Sequence, residues 1–169
     1  QFLVPYDGSD QARRALELCL KLVKPEQDFV YLLSVVRRRS PRLLAAGRSA
    51  NSPWSLTTTP RHLDLASTHD PPFGYSPEAA EKIIAERKEE ATQHLQAAED
   101  RARAVLGESF EALVEVGDPR TAIVDFVERH NIAVVFMGSR GLSGLTGFFI
   151  GSASQYALHN CPCPVTIVK

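Results

Sequence analysis

The 169-residue chain carries 19 Lys and Arg against 20 Asp and Glu, a formal net charge of −1, so its charge balance gives no footprint for nucleic acid or an anionic membrane surface. Its length fits one domain able to bury a proper core. Its 44% hydrophobic content is ordinary for a globular protein, and no apolar run approaches a membrane span.

Phe2 to Tyr6 is a short apolar run of β-formers that predicts a buried strand, ending in the turn Asp7-Gly8-Ser9. Ser9 is a natural helix N-cap, and Asp10 complements the dipole in the first turn. Ala12, Ala15, Leu16, Cys19, Leu22 and Val23 recur at helical spacing until Pro25 stops the run. Asp28 to Val36 is nearly continuous in apolar residues, which suits a parallel strand covered on both faces. From about residue 37 to 76 the chain changes character. Arg37-Arg38-Arg39-Ser40-Pro41 opens a stretch of proline, Ser/Thr and charge without periodicity, the composition of a long flexible loop. The basic start reads as a solvated surface run rather than a nucleic-acid tag.

Ser76-Pro77-Glu78 supplies a cap, a proline at the first helical position and an acid, and so predicts a long helix. Its apolar stripe is Ala80, Ile84, Ala91, Leu95, Ala98, Ala102 and Val105, and Gly107 ends it. Phe110 to Val116 alternates as an edge strand would. Asp118 caps a helix led by Pro119, with Ala122, Ile123, Phe126 and Val127 facing inward. Ile132 to Met137 predicts a fourth strand, Ser152 to His159 a last helix, and Pro164 to Val168 a final strand. His130 and His159 fall at helix ends, where a cation suits the dipole. Cys19 lies on an apolar helix face, and Cys161 and Cys163 lack the second cysteine pair of a zinc site. Three thiols without a disulfide framework predict a reducing compartment.

The distinctive stretch is VVFMGSRGLSGLTGFFIGSAS, Val134 to Ser154. Gly138 and Gly141 stand three apart, nine residues follow, and Gly151-Ser152 closes the loop onto a helix start. A strand, a glycine loop and a helix N-terminus form an anion cradle, because glycine admits close backbone approach and the helix start offers unbonded N–H groups. There is no Gly-Lys-Ser/Thr of a Walker A loop and no GxGxxG after the first strand. Spacing alone leaves open a phosphate-binding loop or a glycine-rich surface loop without a ligand. Asp7 likewise has two readings: a turn-former bonding its own backbone, or a carboxylate at a strand's C-terminal end, where open α/β sheets bind ligands.

Gly138-x-x-Gly141, nine residues, then Gly151-Ser152 resembles the G-2x-G-9x-G(S/T) signature of the ATP-binding branch of the universal stress protein family. LVPYDGSDQARRAL, VGDPRTAIVDF, NIAVVFMGSRG and HNCPCPVTIVK are similar to their counterparts there, and only about residues 37–76 fall outside the likeness. The resemblance implies one domain over residues 1–169, with an insertion at about 37–76. It implies an α/β fold of the adenine nucleotide alpha hydrolase-like type: five parallel strands, order 3-2-1-4-5, helices on both faces. It further implies binding of an adenine nucleotide, ATP or AMP, with Asp7 at the adenosine and Val35 near the adenine. The base would sit between Val35, Met137 and the Tyr6-Asp7 strand end, and the ribose beside Asp7 and Gly138. The phosphates would pass under Gly138 to Gly141 onto the N–H groups of Gly151, Ser152 and Ala153. Ser154 would add its hydroxyl, and Arg140, exposed on the loop, would pair with a phosphate oxygen. Mg2+ or Mn2+ would be held mostly through phosphates and water, with no protein metal site.

On that footing the chain is expected to be a stress-response sensor or regulatory module, homodimeric through the edge strand Pro164–Val168. The expected compartment is cytoplasmic, with organellar targeting left open because Gln1 already stands at the lip of a strand. The alternatives are a slow ATPase or phosphotransferase, for which only Arg140 and Asp7 offer machinery, and a nucleotide-free dimerisation module.

Overall fold

Five strands alternate with four helices: β1 Phe2–Pro5, α1 Asp10–Leu22, β2 Val30–Arg37, α2 Pro77–Leu106, β3 Phe110–Gly117, α3 Pro119–Arg129, β4 Val134–Gly138, α4 Ser152–Asn160 and β5 Val165–Val168. The computed structural model describes residues 1–37, 77–141 and 150–169. The long-loop expectation therefore falls, Arg37 apart, outside the described residues, as does the cap expected at Ser76. The sheet and its helices belong to a unit of residues 1–38 and 84–169, while the opening turns of α2, 77–83, fall to a second unit.

The strands form one parallel sheet in the order β3-β2-β1-β4-β5, as the resemblance implied. Period-two side-chain alternation splits the core between the two faces. Val4, Leu32 and Phe136 point to α1 and α2, joining Ala15, Leu16, Cys19, Leu95, Ala98 and Ala102. Leu3, Leu33, Val135 and Met137 point to α3 and α4, joining Ile123, Phe126, Val127 and Ala157. Helices on both faces explain why β1 and β2 read as unbroken apolar runs.

The helix ends follow the sequence. Ser9 Oγ accepts the Ala12 N–H at 3.2 Å, and Asp118 accepts the Arg120 N–H at 3.0 Å. One expectation shifts within α1. Leu22, the last residue of the helix, is 62% exposed, and Leu20 is buried instead. The buried face is thus turned toward α2, whose Leu95, Ala98 and Ala102 share Leu20's core. β3 and β5 are the sheet edges. His130 is the C-cap residue of α3 and stacks on Phe126 at a 4.0 Å centroid distance.

β1 is paired with β4 only at Phe2↔Val134 and Leu3↔Val135. Beyond those pairs the C-terminal ends of the two strands part. This is the point where winding reverses, the place where open parallel sheets leave a crevice.

Candidate functional site

The crevice is a cavity of about 400 Å³, within the usual range for small-molecule pockets. Two segments some 130 residues apart in sequence meet there. From the end of β1 come Pro5, Tyr6 and Asp7; from β4 and the glycine loop come Met137, Gly138, Arg140, Gly141 and Gly151 to Ser154. Every site residue expected from the sequence, including Val35, lines this one cavity. Residues 142–149, which join the two halves of the glycine motif, lie outside the described residues.

One wall is apolar. Leu33 and Val35 of β2, Pro119 and Ile123 of α3, and Met137 line it, and Arg37 stands at the end of the same strand. Leu33, Arg37, Pro119 and Ile123 are not among the expected site residues. The first two were within reach of the sequence, because a strand that places Val35 in a pocket places residues two before and two after it on the same side. Pro119 and Ile123 gave no local signal; they arrive with α3 packed over that face. Tyr6 is buried, and desolvation raises its phenol pKa, so the hydroxyl keeps its proton.

The opposite end is polar. Gly151 is the N-cap of α4 and supplies no side-chain cap. The amides of Ser152, Ala153 and Ser154, the first helical residues, have no carbonyl partner within the helix, and the dipole's positive end points the same way. Two expected contacts are already committed inside the protein. The Gly151 N–H donates to the Ser139 carbonyl at 2.7 Å, closing the loop base. The Ser154 hydroxyl, buried, donates to the Gly138 carbonyl at 2.8 Å. The amides without an intrahelical partner at this end are therefore those of Ser152, Ala153 and Ser154, and the Ser154 hydroxyl proton goes to the Gly138 carbonyl. Arg140 is half-buried rather than exposed, and its Nε is buried.

Asp7 makes the turn bond and also stands at the cavity. Its Oδ1 accepts the Ser9 N–H at 3.0 Å, the turn-forming bond, while the side chain also lines the cavity. The three motif glycines face different neighbours. A Cβ on Gly138 would stand 2.7 Å from Gln11 Cβ and 2.9 Å from the Gln11 carbonyl carbon, so this glycine lets β4 seat against the first turn of α1. A Cβ on Gly141 would overlap Asp7 Oδ2. A Cβ on Gly151 would meet ordinary contacts, the nearest the Ser139 carbonyl oxygen at 3.4 Å. Among the described residues no group of three His, Cys, Asp or Glu side chains is arranged to hold a metal ion.

The model of the universal stress protein family matches residues 1–169. The universal stress protein YxiE of Bacillus subtilis is 27% identical over 169 residues, covering 100% of this chain and 98% of that protein. The solved structure of the hypothetical protein MJ0577 superposes with a TM-score of 0.73 at 21% identity, covering 99% of this chain and 94% of that one. An Arabidopsis thaliana family member solved with AMP bound gives a TM-score of 0.56 at 18% identity, with 99% and 90% coverage. A universal stress protein solved in complex with cAMP gives 0.57 at 19% identity, with 99% and 94% coverage.

Proposed function

The chain belongs to the universal stress protein family, and on that footing we propose that it binds an adenine nucleotide, ATP or AMP, in the β1–β4 crevice. It then acts as a stress-response sensor or regulatory module. The observation that carries this reading is the convergence of Asp7 and the start of α4 on one cavity with an apolar wall and a donor-rich floor. The adenine lies against Leu33, Val35, Ile123 and Met137, with the Tyr6-Asp7 strand end beside it. The ribose hydroxyls donate to Asp7 near Gly138, and the phosphates rest on the Ser152, Ala153 and Ser154 amides with Arg140 as counter-charge. Mg2+ or Mn2+ travels with the phosphates, whose oxygens suit hard cations. Relatives that hold AMP or cAMP on the same fold support the ligand class.

The module reading, rather than an enzyme, rests on the chemistry of the floor. Backbone amides and serine hydroxyls bind ground-state phosphates well, and binding that is uniform along the reaction leaves the chemical barrier where it was. ATP turnover is accordingly below about one per second, under the usual enzymatic range. We further propose a cytoplasmic homodimer paired through Pro164–Val168, since β5 lies at a sheet edge and offers its outer backbone groups to a second copy. Light scattering that gives a monomer mass at micromolar protein would refute the pairing.

Calorimetric titration of ATP and AMP into the wild type and Gly151→Val tests the nucleotide site. A branched side chain at the base of the phosphate floor should weaken ATP by at least about tenfold, the loss of one good charged hydrogen bond. Unchanged affinity would overturn the proposed placement. A phosphate-release assay with magnesium or manganese tests the other half. Turnover faster than about one per second, abolished by Asp7→Ala or Arg140→Ala, would make the protein an ATPase.

A further inference from the structure

The second motif glycine has a neighbour that its place in a phosphate loop does not account for. The space a Cβ would take on Gly141 is already filled by Asp7 Oδ2. The other carboxylate oxygen, Oδ1, is held at 3.0 Å by the Ser9 N–H, which fixes the side-chain rotamer from below. Ser9 Oγ also reaches toward the Arg140 carbonyl at 3.5 Å, so the β1–α1 turn and the glycine loop approach each other twice. Asp7 and Gly141 both line the cavity.

We propose that Gly141 is a positioning residue for Asp7, acting on recognition of the nucleoside half of the ligand rather than on its phosphates. This rests on the nucleotide reading of the crevice. A methyl group at 141 leaves two escapes. The carboxylate rotates, losing the Ser9 N–H and carrying Oδ2 out of the crevice, or residue 141 retreats with the loop. The first escape displaces the acceptor that would meet a ribose hydroxyl, and the second withdraws the backbone that packs against it, while the amides of Ser152, Ala153 and Ser154 on α4 stay in place. Gly151 differs in kind, because the neighbours of its missing Cβ are ordinary contacts.

The test is a double-mutant cycle over Asp7→Ala and Gly141→Ala, read by calorimetric titration of adenosine and of ATP. Gly141→Ala should weaken adenosine by about tenfold, the scale of one hydrogen bond to a charged group, and should weaken ATP by the same factor. In the Asp7→Ala background the carboxylate no longer occupies the space, so Gly141→Ala should cost nothing more. Loss of ATP affinity with adenosine affinity intact would overturn the proposal, and so would penalties that multiply across the two sites. The same four proteins melted without ligand give a second readout. Gly141→Ala should lower the unfolding midpoint in the wild-type background and leave it unchanged in Asp7→Ala; additive shifts would overturn the contact. A wild type that binds neither adenosine nor ATP would overturn the nucleotide reading instead, and the melting cycle would then decide the Asp7–Gly141 coupling by itself.

Discussion

Gly138 is the motif residue whose substitution should damage the fold before it damages any binding. A Cβ there would stand 2.7 Å from Gln11 Cβ, 2.9 Å from the Gln11 carbonyl carbon and 3.0 Å from the Ala12 nitrogen. Carbon atoms prefer about 3.5–4.0 Å. Two of these three neighbours are backbone of α1, which cannot rotate away as a side-chain tip would. Either α1 lifts, disturbing Ala12, Ala15 and Leu16 in the core, or β4 recedes and stretches the 2.8 Å bond from Ser154 Oγ to the Gly138 carbonyl. Overpacking of this kind costs about 1–3 kcal/mol, and a strained buried hydrogen bond adds about 1 kcal/mol. At about 2–4 °C per kcal/mol for a chain of this size, the combined cost of about 2–4 kcal/mol should make Gly138→Ala melt roughly 4–16 °C below the wild type. Thermal unfolding followed by circular dichroism, without ligand, measures this directly. Gly151→Ala is the comparison, and its contacts of 3.4 Å and longer predict a stability change within about 0.5 kcal/mol. A Gly138→Ala protein that melts with the wild type, yet binds ATP weakly, would refute the packing argument and return Gly138 to the ligand.

Gly8 should be equally intolerant for a different reason: its φ is +82°, and a Cβ would lie 2.9 Å from the His94 ring. Gly8→Ala should therefore cost about 1–3 kcal/mol; His94→Ala should restore the steric part only, and full rescue in urea titrations would refute the strain. The Arg120 side-chain hydrogen bond holds the Asp118 carboxyl at about 2, below its unfolded value of about 3.9. Its contribution is present above about pH 4 and is lost as pH falls toward 2. Because the pair is well exposed, the stability gap between wild type and Asp118→Asn should be under about 1 kcal/mol and should close over that window; a gap that persists at pH 2 would refute it. Burial pushes the Cys19 thiol up to about 12 and the Cys161 thiol up to about 11. Folding thus keeps protons that the unfolded chain loses near pH 8.5, and this stabilisation fades as pH rises above that value. At pH 8, Ellman's reagent should label Cys19 only at the rate of unfolding; rapid labelling of all three thiols in the native protein would contradict it.

The strands were legible because their signals are local, whereas their order in the sheet came from the family resemblance. Asp28 to Val36 reads as a strand covered on both faces, found as Val30–Arg37, and Ser9, Asp118 and Gly107 punctuate helices whose ends the structure places at those residues. The site was legible as a set of positions but not as a set of contacts. Gly151 and Ser154 looked like donors to a phosphate, and nothing near them in sequence shows that their hydrogens go to the Ser139 and Gly138 carbonyls. A glycine in a motif is compatible with close approach of a ligand, of a neighbouring backbone or of a side chain. Here Gly138 admits the backbone of α1, Gly141 makes room for Asp7, and Gly151 has only ordinary neighbours. Spacing cannot separate these cases, because Gln11 and Asp7 lie more than a hundred residues from the glycines they face. The same contacts that dock α1 onto β4 also bring Asp7 and the amides of α4 to one crevice. On the proposed nucleotide reading, a substitution in the motif can therefore abolish binding by loosening the fold, by displacing Asp7 or by blocking the proposed phosphate floor. Only a melt without ligand, taken beside the titration, separates the first cause from the other two. Adenosine set against ATP then separates the second from the third.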